Sequence, residues 1–188
     1  MSVDEIAAQV VAALQATDRL KRKHASFWNS AKKSSKEMGV FTEAMYRISL
    51  DLPNAIDGWN PVDKDPPDIE LTYGSEKLAL EITELVNPKA ISAQIGASPG
   101  YSMELVQYGL AEANARLQEI VSDKEAKILR VLPQYTAAAL LIHTDEPMLS
   151  SDMFEGYFLE SKSNVYDWIY LLFSYEPAKG ECPLVRLQ

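Results

Sequence analysis

Apolar residues along the first turns of the chain, Val3, Ile6, Ala7, Val10, Val11 and Leu14, recur at steps of three and four. That period predicts a helix closing near Thr17-Asp18. A second such stripe, Val40, Phe41, Ala44, Met45 and Ile48, predicts a helix over Met38–Leu50, stopped by Pro53 and Asn54, with Glu43 and Arg47 on its polar side. The residues from Asp57 to Pro67 are rich in Pro, Gly, Asn and Asp and are read as a loop. The period then switches to two. Ile69, Leu71 and Tyr73 alternate with Asp68, Glu70 and Thr72, and after Gly74-Ser75 the residues Leu78, Leu80 and Ile82 alternate with Ala79, Glu81 and Thr83. This is the pattern of a β-hairpin.

Pro88, Gly96, Pro99 and Gly100 mark Asn87 to Tyr101 as an irregular connection. Val106, Leu110, Ala113, Leu117 and Ile120 predict a long amphipathic helix from about Ser102 to Lys127. Ala137 to Ile142 is a continuous apolar run, expected of a strand covered on both faces. A short helix over Ser151–Ser161, a second apolar strand at Trp168–Phe173 and an edge strand at Pro183–Leu187 complete the reading. Strands alternating with crossover helices imply an α/β sandwich around a mixed sheet that begins with the hairpin. The expected organisation is a single domain over 1–188, with an N-terminal helix and basic arm (1–36) on an α/β core (37–188).

Composition sharpens this picture. Of 188 residues, 47% are hydrophobic and 24% charged, enough apolar material for one sizeable core. The net charge of −9 counts against a dedicated nucleic-acid binder, which needs a basic face. The charge is segregated, however. Residues 1–36 hold seven basic side chains against three acids, a local +4, which leaves −13 for the rest. The stretch Arg19–Lys36 also contains Phe27 and Trp28, and aromatic rings stack on bases, so it is a candidate arm for nucleic-acid phosphates as well as a solvated face. A lone cysteine, Cys182, excludes a disulfide framework and fits a reducing, cytoplasmic setting. Nothing resembles an export signal or a membrane span.

Candidate chemistry concentrates in the hairpin. If it pairs across its short turn, Asp68 approaches Glu81, and two carboxylates side by side repel unless a proton or cation lies between them. Oxygen-only ligand sets of this size suit Mg²⁺ or Mn²⁺, which keep several waters. On these grounds Glu81→Ala is expected to raise the stability of the metal-free protein. His24 and His143 stand in no metal-ligand spacing, so no zinc site is expected, and His143 reads as structural. P-loop, dinucleotide and serine-hydrolase signatures do not occur in the sequence.

Pro67-Asp68 followed thirteen residues on by Glu81-Ile82-Thr83, then a long helix and an apolar strand, resembles the PD-(D/E)XK nuclease superfamily. The resemblance implies a restriction-endonuclease-like mixed sheet flanked by helices and a metal-dependent nuclease cutting phosphodiesters. It further implies that Asp68 and Glu81 hold Mg²⁺ or Mn²⁺, that Ile82 lends its carbonyl, and that Glu43 is the additional acid. The sequence departs from the pattern at Thr83, which stands where the superfamily has a lysine; a hydroxyl cannot supply that positive charge. Lys77, on the same strand face, and Lys89, just beyond the hairpin, are candidate substitutes. The alternatives are a nuclease-fold module without catalysis, of regulatory or defence type, and an acidic protein-interaction module of immunity type.

Overall fold

The computed structural model describes residues 33–63, 66–95, 101–157, 159 and 162–188. The predicted N-terminal helix and most of the basic arm, with His24, Phe27 and Trp28, lie outside the described residues. Among the described residues, four helices, α1 (Lys33–Asp51), α2 (Pro88–Ile95), α3 (Tyr101–Gln107) and α4 (Leu110–Ile128), accompany six strands. The strands are β1 (Ile56–Pro61), β2 (Ile69–Tyr73), β3 (Glu76–Leu85), β4 (Ala137–Thr144), β5 (Trp168–Phe173) and β6 (Leu184–Arg186). They form one mixed sheet in chain order, β1 to β6. The β1–β2, β2–β3 and β5–β6 pairs are antiparallel and the β3–β4 and β4–β5 pairs parallel.

Helices cover both faces, and the alternation of strand side chains sorts the core into two layers. Leu78, Leu80 and Ile82 of β3 and Ala137, Ala139 and Leu141 of β4 pack with Val40, Phe41, Ala44 and Ile48 of α1. Ala79 and Leu85, with Ala138, Leu140 and Ile142, pack instead with Ala113, Leu117, Ile120, Val121 and Ile128 of α4. All eight residues of β4 are buried, as its unbroken apolar run requires.

The hairpin forms in the expected register, Tyr73 opposite Glu76 and Ile69 opposite Leu80. Gly74 opens its two-residue turn at φ +61°, a region that a β-carbon disfavours. Gly74→Ala is therefore expected to cost about 1 kcal/mol in urea denaturation.

Several expectations are revised. The Asp57–Pro67 loop contains β1, an exposed edge strand with a register shift between Ile56 and Gly58. Proline is tolerated at such an edge, so Pro61 can end β1. The long helix is two helices, because Gly109 takes an extended conformation and its N–H donates to the Glu112 carboxylate, capping α4. The irregular Asn87–Tyr101 connection holds α2 and the first residue of α3. Among the described residues of the predicted Ser151–Ser161 helix, a 3₁₀ turn forms over Ser151–Phe154 in place of an α-helix. Its apolar residues are used without helical repetition: Phe154 and Leu159 enter the core. Among the described residues, no helix is long and apolar enough to cross a membrane.

Candidate active site

Asp68 immediately precedes β2, whose first residue pairs with Leu80, so the register carries Asp68 past the end of the ladder to the level of Glu81 and Ile82. There its carboxylate accepts a hydrogen bond from the Ile82 N–H at 2.7 Å, while its own carbonyl accepts from Val62 N–H at 3.0 Å. A strand residue's N–H and C=O leave on the same side, as the reciprocal bonds of an antiparallel pair require. The Ile82 carbonyl therefore faces the gap that Asp68 occupies.

Glu81 stands two residues beyond Ala79 on the face that α4 covers, and it is completely buried. This face of the hairpin is closed by α4. The counter-charge comes from that helix. Lys124 stands between Val121 and Ile128 in the buried stripe of α4, and its ammonium donates to Glu81 Oε2 at 2.5 Å with only 13% of its side chain exposed. The other oxygen, Oε1, is buried with no hydrogen-bond partner.

Burial, and next the charge of Glu81, push the Asp68 carboxyl up to about 7. The Ile82 N–H and the Lys124 ammonium oppose this rise, and Glu37 adds to it. Two acids and one buried ammonium thus share one locale, with a carboxyl that titrates near neutrality.

The remaining sequence candidates are placed as follows. Thr83 is half-buried, two residues beyond Glu81 on the same strand face. Lys77 is 58% exposed at the turn end of β3 and bonded to Glu70 at 2.9 Å. Lys89 is exposed at the start of α2, its backbone N–H donating to Asn87 Oδ1. Glu43 lies on the exposed side of α1, whereas Glu37, four residues before the buried Phe41, is the α1 acid whose charge acts on Asp68. His143 is buried on β4, its Nδ1 4.0 Å from Glu84 and its Nε2 3.5 Å from the Ser174 hydroxyl. Sequence reasoning missed Lys124. The signal was a lysine in the stripe Ala113, Leu117, Ile120, Val121, Ile128, at a step where an apolar residue would continue it.

Among the described residues, no group of three or more His, Cys, Asp or Glu side chains gathers as a metal cluster. A Mg²⁺ or Mn²⁺ ion does not require one, because waters complete its shell. The donors present fit such an ion in kind: a carboxyl whose pKa is raised by burial and then by the charge of Glu81, a buried carboxylate oxygen lacking a partner, and a backbone carbonyl facing the same gap. No protein-family model, curated protein or solved structure matches the chain.

Proposed function

We propose that this chain is a Mg²⁺- or Mn²⁺-dependent phosphodiesterase of restriction-endonuclease-like fold that hydrolyses nucleic acid, with Lys124 serving in place of the lysine that Thr83 replaces. The observation that carries this reading is the buried Lys124–Glu81 pair beside Asp68. The order of helix α1, antiparallel strands β1 to β3, helix α4 and parallel strand β4 also supports it. Asp68, Glu81 and the Ile82 carbonyl would hold the ion, which when bound supplies charge neutralisation at the phosphate and a more acidic water. The Lys124 ammonium offers the fixed positive charge that a developing phosphorane needs. The basic stretch Arg19–Lys36 is the proposed contact for the nucleic-acid backbone, salt-sensitive because the chain as a whole carries −9.

One observation favours the catalytically silent alternative. Lys124 already neutralises Glu81, so the fold needs no ion to tolerate that buried charge. Calorimetric titration with Mn²⁺ separates the two readings. Wild type is expected to give a binding heat that Asp68→Ala abolishes, and to nick plasmid DNA in Mn²⁺ where Asp68→Ala leaves it intact. Metal binding without cleavage would assign the silent module; absence of any heat would overturn the metal site.

A further inference from the structure

Tyr166 lies just before β5, and its position is held from several directions. Its N–H donates to the Ser163 hydroxyl at 2.8 Å and its carbonyl accepts from Gln188 Nε2 at 2.6 Å. The next residue, Asp167, is locked to β4 through its N–H to the Ala138 carbonyl and its carboxylate to the Ala138 N–H. Ser163 in turn donates to the carboxylate of Glu125, the neighbour of Lys124 on α4. The segment carrying Tyr166 is thereby tied to the helix turn that supplies the ammonium to Glu81.

Tyr166 is 2% exposed and packs in the layer between the sheet and α4, the same layer that Glu81 enters. Its hydroxyl is buried and has no hydrogen-bond partner. A tyrosine this enclosed normally places its O–H on an acceptor, and phenylalanine would serve if packing alone were required. Two complementary groups therefore stand unmatched in one layer: a phenol O–H that donates, and the Glu81 Oε1 that accepts. Burial, then the charges of Glu81, Glu125 and Asp68, push the phenol upward, so it stays protonated and able to donate.

We propose that Tyr166 is a positioning residue of the candidate active site, its hydroxyl and the free oxygen of Glu81 together holding one water beside the Lys124–Glu81 pair. The phenol donates to the water oxygen and the water donates to Oε1, which leaves one hydrogen and one lone pair of the water directed by protein groups. A water with two or more polar partners in a polar, enclosed space is a normal structural element. The proposal deepens the hydrolase reading and rests on it for the catalytic consequence, while the bridge itself is a property of the metal-free protein.

Crystal structures of wild type and Tyr166→Phe, at a resolution that places waters, test it directly. Wild type is expected to show one ordered water within hydrogen-bond distance of both oxygens, and Tyr166→Phe to lose it with Glu81 and Lys124 unmoved. In Mn²⁺-dependent cleavage, Tyr166→Phe is expected to lower kcat by about tenfold with KM unchanged, as loss of an orienting group does. A direct phenol–carboxylate bond or a dry gap in wild type would overturn the water bridge, and a wild-type kcat in Tyr166→Phe would overturn its catalytic role. Asp68→Ala that still binds Mn²⁺ would instead sink the metal reading and leave the water bridge standing.

Discussion

Lys124→Met should destabilise the folded chain by about 3 kcal/mol at pH 8, read as a lower urea midpoint, because it strands the fully buried Glu81 carboxylate without its counter-charge. Methionine keeps most of the volume packed between Val121 and Ile128, so the loss reports charge rather than a cavity. Glu81→Ala should cost a similar amount, since it leaves the ammonium, largely enclosed, without its carboxylate. This reverses the expectation drawn from the hairpin alone, in which removing Glu81 only relieves repulsion with Asp68. Replacing both partners, Lys124→Met with Glu81→Leu, should recover most of the stability lost in either single variant, because a buried ion pair is often matched by apolar side chains of similar volume. If Lys124→Met proved as stable as wild type, the buried pair would be refuted. Under the hydrolase reading, the same Lys124→Met protein should lose about 10²- to 10³-fold in kcat with Mn²⁺ binding retained, the scale on which fixed transition-state donors act.

Asp68→Asn is the second large effect, and its sign depends on pH. In the folded chain the Asp68 carboxyl is pushed up to about 7 from 3.8. Between those values the folded state holds a proton that the unfolded state has released, so stability falls as pH rises through the window. The contribution is fully present below about pH 4 and gone above about pH 7. Asparagine can still accept from the Ile82 N–H but cannot ionise. Asp68→Asn should therefore be more stable than wild type at pH 8 by about 2 to 4 kcal/mol, the lower end reflecting partial solvent access, and its stability should vary less between pH 4 and 7. Urea denaturation across that range measures it, and parallel pH profiles for the two proteins would contradict the raised carboxyl. Because the proton and the ion compete for Asp68, wild-type affinity for Mn²⁺ should increase up to about pH 7 and then level.

The hairpin shows why part of the candidate site was legible in the sequence. Strand alternation and a two-residue glycine turn set the register of Asp68 against Glu81 within sixteen residues, with no knowledge of the rest of the chain. The apolar runs of β4 and β5 were equally plain, because a strand covered on both faces has no polar positions to disguise it. Local pattern failed where tertiary contacts outweighed it. β1 is held by its pairing with β2 despite Gly58 and Pro61, and Phe154 reaches the core from a 3₁₀ turn and Leu159 from irregular backbone.

Sequence by itself therefore determined the mixed α/β class and the placing of Asp68 level with Glu81, both of which follow from periodicity and short-range spacing. Tertiary structure alone decided what stands opposite those carboxylates. Lys124 lies 43 residues from Glu81, and α4 lays its buried stripe across β3. The enclosure made by that helix turns an ordinary surface glutamate into a buried charge and selects Lys124 over Lys77 and Lys89 as its partner, while burial and the charge of Glu81 raise Asp68 toward neutrality. Each of these depends on removing water from around the charges, a property of packed layers that no single stretch of chain carries.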